Sequence, residues 1–164
     1  SRMSTLVVLG YPSEAEAKSA YQKILDLDKN LIVSLQSVAV VARRADGKYD
    51  VVTPGSKVGT SAVWGLFWGV LFGLLFFVPI VGAALGAGIG ALTGAIVKHG
   101  VDKDFQDRVR NLLSTDDSAA VFMVVDEMTT DKFIDAIRPF GGDVLQTSLS
   151  IKDEEELKHE LFKN

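Results

Sequence analysis

The sequence predicts an α+β fold: a ferredoxin-like split βαβ domain carrying an inserted glycine-zipper helical hairpin. Three observations predict it. A strand–helix–strand pattern spans residues 5–42, and a second one spans residues 119–150. Between them, forty residues, 58–97, contain no Asp, Glu, Lys, Arg or His and hold nine of the fifteen glycines. The sequence therefore divides into one discontinuous domain, residues 3–57 and 98–164, and an apolar insertion, residues 58–97.

Each element has a local reason. Thr5–Leu9 is a short apolar run ending at Gly10, the pattern of a buried strand. Ser13 and Glu16 have capping-box spacing at the start of a helix. Ala17, Ala20, Tyr21, Ile24 and Leu25 give that helix one apolar face. Ser37–Ala42 is β-branched and apolar, a second strand. Ala45-Asp46-Gly47 forms a hairpin turn, and Tyr49–Thr53 pairs back. Beyond the insertion, Asp102–Leu113 predicts a helix with Phe105, Val109, Leu112 and Leu113 on one side and acids in its first turn. Ala119–Val125 is a strong buried strand. Thr130 begins a helix carrying Phe133, Ile134 and Ile137, Gly141-Gly142 turns the chain, and Val144–Ile151 alternates as a last strand. Asp153–Phe162 closes the chain as a short helix. In a sheet of this kind the helices are expected on one face.

Within the insertion, Val58–Phe77 has the length of a bilayer-spanning helix, ~30 Å. Val78-Pro79 breaks it, Ile80–Val97 returns, and Lys57 and Lys98 bracket the pair as membrane-end anchors. Gly65, Gly69 and Gly73 recur every four residues in the first helix. Gly82, Gly86, Gly90 and Gly94 do so in the second, beside a stripe of Ala83, Ala87, Ala91 and Ala95. Glycine in a solvated helix costs ~1 kcal/mol relative to alanine. Seven at strict spacing imply close packing of a neighbouring backbone, from the other helix or another copy. Trp64 and Trp68 lie ~10–15 Å inside the helix, too deep for an interfacial belt, and are expected to line an interhelical gap.

Composition and motifs exclude several classes. Hydrophobic residues make up 48% of the chain, an excess concentrated in the insertion. The net charge of −4 divides into +2 over residues 1–57 and −6 over residues 98–164, with no basic face, so nucleic acid is not an expected partner. No cysteine is present, which removes disulfides and thiolate metal sites. Gly86-Ala87-Gly88-Ile89-Gly90-Ala91 fits G-x-G-x-x-A, but it falls mid-helix rather than at a strand–helix turn, so no dinucleotide cofactor is expected. His99 and His159 lack ligand spacing. Asp102, Asp104 and Asp107, and the run Asp153–Glu156, suit helix first turns better than a metal. There is no nucleophile–base pattern and no phosphate loop, so no enzymatic activity, catalytic residue, cofactor or metal is expected.

The opening Leu6-Val7-Val8-Leu9-Gly10 to Glu16-Ala17, the Ala-Asp-Gly turn at 45–47, the glycine–alanine block 82–95 and the strand–helix–strand after it together resemble the bacterial DUF1269 proteins, a family of unknown function. The resemblance implies a membrane-associated, ferredoxin-like protein and supplies no catalytic residues. The expected function is a homo-oligomeric membrane anchor of structural or regulatory role, self-associating through the hairpin. Arg43, Arg44, Lys48, Lys57 and Lys98 would hold the domain on the cytoplasmic side. The alternative is a soluble self-assembling scaffold whose hairpins pack into a protein-lined core.

Overall fold

The computed structural model describes residues 4–52, 62–76, 94, 96–98, 100–128 and 130–149. Five strands form one antiparallel sheet in the order β3-β2-β4-β1-β5: β1 Ser4–Tyr11, β2 Val33–Arg43, β3 Tyr49–Val51, β4 Ala119–Met128 and β5 Asp143–Leu149. The helices with described bounds are α1 Glu14–Lys29, α2 Ala62–Phe76, α3 Lys103–Leu112 and α4 Thr130–Ile137, the last followed by a 3-10 turn over Arg138–Phe140. β4 pairs between β1 and β2, so the two strands joined by α1 run parallel without touching. β1 in turn separates β4 from β5.

The α1 boundaries follow the predicted chemistry. The Ser13 hydroxyl accepts from the Glu16 amide and also donates to the Glu16 carboxylate. A cap of this kind stabilises a helix by ~1 kcal/mol. Ala17, Ala20, Tyr21, Ile24 and Leu27 are buried, while Leu25 is only half-buried, so Leu27 takes the place expected for it. At the other end, Ile32 N–H donates to the Leu27 carbonyl and Leu31 N–H to the Asp28 carbonyl, a Schellman closure. The left-handed position it requires is occupied by Leu31, at φ 60°.

Contrary to the one-faced expectation, the sheet is covered on both sides. One face, with Val7, Leu9, Val38, Val40, Val121 and Met123, packs under α1 and α4. The other, with Leu6, Val8, Ala39, Val41, Phe122, Val124 and Leu145, packs under α2 and α3. The alternation of an antiparallel strand assigns residues to each face, except that β2 changes phase. Val33 and Leu35 face α1, and so do Val38, Val40 and Ala42. A register shift between Leu35 and Ser37 makes this possible and turns Ser37 towards α2.

Two glycines are required by close approach. A Cβ on Gly10 would lie 3.1 Å from Leu112 Cδ2, so the end of α3 rests on bare backbone. Gly142 has φ +95°, and a Cβ there would stand 2.7 Å from the Gly10 carbonyl oxygen.

Candidate self-association face

Most of the described part of the apolar insertion is α2, fifteen residues without a charged side chain. Its composition offers no polar face, so its orientation is set by which residues fit the sheet. Phe67, Trp68, Val70, Leu71, Phe72, Leu75 and Phe76 are buried. Phe72 meets Phe122 edge-on at 5.2 Å and stacks on Trp68 at 5.4 Å. Phe76 stacks on Tyr49 at 4.4 Å, whose ring in turn lies under the Arg43 guanidinium. Trp68 therefore does not line a gap between helices. Its indole Nε1–H donates to Ser37 Oγ at 2.8 Å inside the core. Fully burying one such side chain stabilises by ~1.5–3 kcal/mol, so α2 belongs to the domain core.

Of the α2 glycines, Gly69 turns away from the sheet. Gly69 is exposed, no described atom lies within 4 Å of a Cβ placed on it, and Gly73 is half-buried beside half-buried Leu74. Gly65 is helical. The described part of the second predicted helix is Gly94 with Ile96 and Val97, all helical, and the helix continues through Lys98. Ile96 points into the core, while Gly94, Val97 and Lys98 are exposed, and no described atom lies within 4 Å of a Cβ placed on Gly94. Gly82, Gly86, Gly90, Ala83, Ala87, Ala91, Ala95 and Lys57 lie outside the described residues, as do His99, His159 and the predicted terminal helix. Among the described residues no helix is long and apolar enough to cross a membrane.

The C-terminus of α2 is held by a residue with no signal in the sequence. Arg110, on α3, donates through Nε to the Leu75 carbonyl at 2.7 Å and through Nη2 to the Leu74 carbonyl at 3.0 Å. These are carbonyls that a helix end leaves unpaired, and a cation there also meets the negative end of the dipole. Asp107 steadies the guanidinium at 3.1 Å. The acids at the start of α3 are likewise used structurally: Asp102 caps the helix by accepting from Phe105 N–H, and Asp104 and Asp107 face Arg108 and Lys103. Among the described residues no group of three or more His, Cys, Asp or Glu could hold a metal.

The β2–β3 hairpin is pinned by charge. Arg44 pairs with Asp50 at 2.7 Å and with Glu14 at 2.6 Å. Hydrogen bonding from Lys18, and then from Arg44, holds the Glu14 carboxyl below its ordinary range, and Asp50 foremost raises the Arg44 guanidinium. Arg43 donates to the Leu113 carbonyl and to the Tyr49 hydroxyl, while its Nε lies 3.5 Å from Asp116 without hydrogen-bond alignment. On the α1 face of the sheet, the hydroxyls of Tyr11 and Tyr21 are buried without a hydrogen-bond partner among the described residues. Desolvation pushes Tyr11 up to about 12 and raises Tyr21 as well.

One uncharged helix, α2, thus has a core-bound aromatic side and leaves Gly69 exposed. The sequence model of one protein family matches residues 62–162, and that family is described as protein of unknown function (DUF1269). The chain belongs to the DUF1269 family. The DUF1269 match begins at the first residue of α2, so the family unit joins this helix to α3, β4, α4 and β5. No curated protein and no solved structure matches the chain.

Proposed function

We propose that this DUF1269 chain is a non-enzymatic, self-associating protein whose copies meet through the outer, glycine-bearing side of α2. One observation carries the reading: an uncharged helix has its aromatic side filled by the sheet and leaves Gly69 open. Glycine there is unfavourable for an isolated helix, and an uncharged exposed side favours a covering surface. A second copy supplies such a surface, because glycine lets two backbones approach closely and gain dispersion and weak Cα–H···O contacts. We read the domain as ferredoxin-like, supported by the placement of β4 between β1 and β2, with β3 as an added edge strand.

The aromatic contacts of α2 with the sheet favour an apolar block enclosed between protein surfaces. Releasing α2 into lipid would uncover Leu6, Val8, Phe122 and Val124, which lipid could not then reach. The second reading, a membrane anchor with its domain on the cytoplasmic side, is favoured by the forty uncharged residues 58–97.

The test is the mass of the full chain with Gly69→Leu, by light scattering in buffer without detergent. Overpacking a tight contact costs ~1–3 kcal/mol per site, so the variant dissociates at concentrations where the parent is assembled. Its fold is retained, because the added side chain meets no described atom of its own chain. An unchanged mass would remove the proposed face. Retention of the parent chain in carbonate-washed membranes would favour the anchor.

A further inference from the structure

The two edges of the sheet are built differently. β3, at one edge, is three residues long, and its exposed Asp50 is held by Arg44 at 2.7 Å. A short edge with a charged side chain discourages a further strand from adding. β5, at the other edge, runs seven residues, and its pairing with β1 continues without a shift from Asp143 to Leu149. Among the described residues nothing pairs with its outer side. From Val144 to Ile151 the sequence has no charge, proline or glycine, and Val144 is 45% exposed. Sheet edges are ordinarily interrupted by lysine, proline or a bulge, and β5 has none of these. A strand bonded on one side directs about half of its N–H and C=O groups outward, so β5 presents a row of donors and acceptors.

What can fill that row is limited. The strand-forming runs of residues 1–164 are already in the sheet as β1 to β5. Residues 53–61 are broken by Pro54, Gly55 and Gly59, residues 77–93 by Pro79 and glycines, and residues 152–164 are dominated by charge. Such residues are depleted in strands. A second β5 matches in length and character.

The strand also fits itself. A two-fold axis normal to a sheet keeps each face on its own side, so opposed positions in an antiparallel β5 pair differ by an even number. Centred on Thr147, the pairing sets position 145 opposite 149, 146 opposite 148 and Thr147 opposite its own copy. Leu145 closes the core under α2 and α3, and here it gains a leucine as its cross-strand neighbour. Centred on Gln146, it would face Thr147 instead. The two Asp143 carboxylates stand at opposite ends of the join, each across from Ile151.

We propose that β5 of one copy pairs antiparallel with β5 of a second copy about a two-fold axis at Thr147, making one sheet of ten strands. The contact joins like surfaces, so it closes at two copies. It goes beyond the α2 reading, uses a different element and does not depend on it.

The experiment combines sedimentation and oxidative cross-linking of the full chain, with circular dichroism of each variant. Opposed residues have Cα atoms ~4.5–5.5 Å apart, within reach of a disulfide. Thr147→Cys, in a chain without other cysteine, therefore oxidises to a covalent dimer. Val144→Cys does not, because the two copies of that position lie ~20 Å apart along the strands. Gln146→Lys sets two ammonium groups on a diagonal and raises the dimer dissociation constant at least ~tenfold. Adding Ser148→Glu restores pairing, each ammonium then facing a carboxylate. Gly69→Leu leaves the two-copy species in place, so the two contacts fail separately. No covalent dimer in Thr147→Cys, equal cross-linking at positions 144 and 147, or no restoration by Ser148→Glu overturns the proposal while leaving the α2 face standing. A parent chain that remains a single copy throughout overturns both.

Discussion

Truncating Phe72 to alanine distinguishes a core α2 from one that merely hangs beside the domain. The ring is 4% exposed and contacts three others: Phe122 at 5.2 Å, Trp68 at 5.4 Å and Phe76 at 6.1 Å. Phe→Ala in a core costs ~3–5 kcal/mol. Ring pairs add ~0.5–1.5 kcal/mol each beyond area, which places Phe72→Ala in the upper part of that range, about 4 kcal/mol. With a urea slope of ~2 kcal/mol per molar, the midpoint falls by ~2 M. Both tryptophans of the chain, Trp64 and Trp68, belong to α2, so fluorescence follows this helix while far-ultraviolet circular dichroism follows the whole fold. The two transitions should coincide in the parent and shift together in the variant. A double-mutant cycle with Phe122→Leu and Phe72→Leu should give a coupling of ~0.5–1.5 kcal/mol. A loss below ~1 kcal/mol with no coupling would refute the docking of α2 on the sheet.

Three further outcomes follow from the same contacts. Arg110→Met removes two hydrogen bonds to the Leu74 and Leu75 carbonyls and should cost ~1–2 kcal/mol in urea unfolding, with Arg110→Lys recovering only part. Gly142→Ala places a Cβ 2.7 Å from the Gly10 oxygen at φ +95° and should cost at least ~2 kcal/mol, whereas Gly69→Ala, whose Cβ meets no described atom of its own chain, should stabilise the single copy by up to ~1 kcal/mol at concentrations below those of assembly. Burial raises the Tyr11 hydroxyl from 10 to about 12, so the folded chain holds that proton more tightly than the unfolded one. This contribution is whole below pH 10 and is lost as the pH rises from 10 towards 12. Tyr11→Phe should flatten that alkaline loss in thermal unfolding, with stability at pH 7 unchanged or higher, because the hydroxyl has no partner to lose.

What the sequence revealed was whatever depends on neighbours along the chain. Ser13 with Glu16 marked the start of α1, Ala45-Asp46-Gly47 the β2–β3 turn, and the run Ala119–Val125 a buried strand. Placement across the fold was not legible. Because α2 is uncharged all round, periodicity could not show that Trp68 and Phe72 face the sheet and Gly69 faces away. The depth of Trp68 argued against an interfacial belt, yet nothing local marked Ser37 as its partner. That pairing depends on a register shift thirty-one positions back in the chain. Arg110 has the spacing of an ordinary solvated helix residue, and only the third dimension brings it to the end of α2. Leu31 was hidden because a left-handed helix closure is ordinarily signalled by glycine.

The most direct test of the outer face of α2 uses the absence of cysteine from the chain. Gly69→Cys places one thiol on that face in open space, and Asp131→Cys places one on the exposed start of α4 as a control. The account predicts rapid oxidative cross-linking of Gly69→Cys into covalent dimers, at concentrations where the parent is assembled, and none for Asp131→Cys. Equal cross-linking at both positions, or none at Gly69 while that variant, kept reduced, remains assembled, would contradict it.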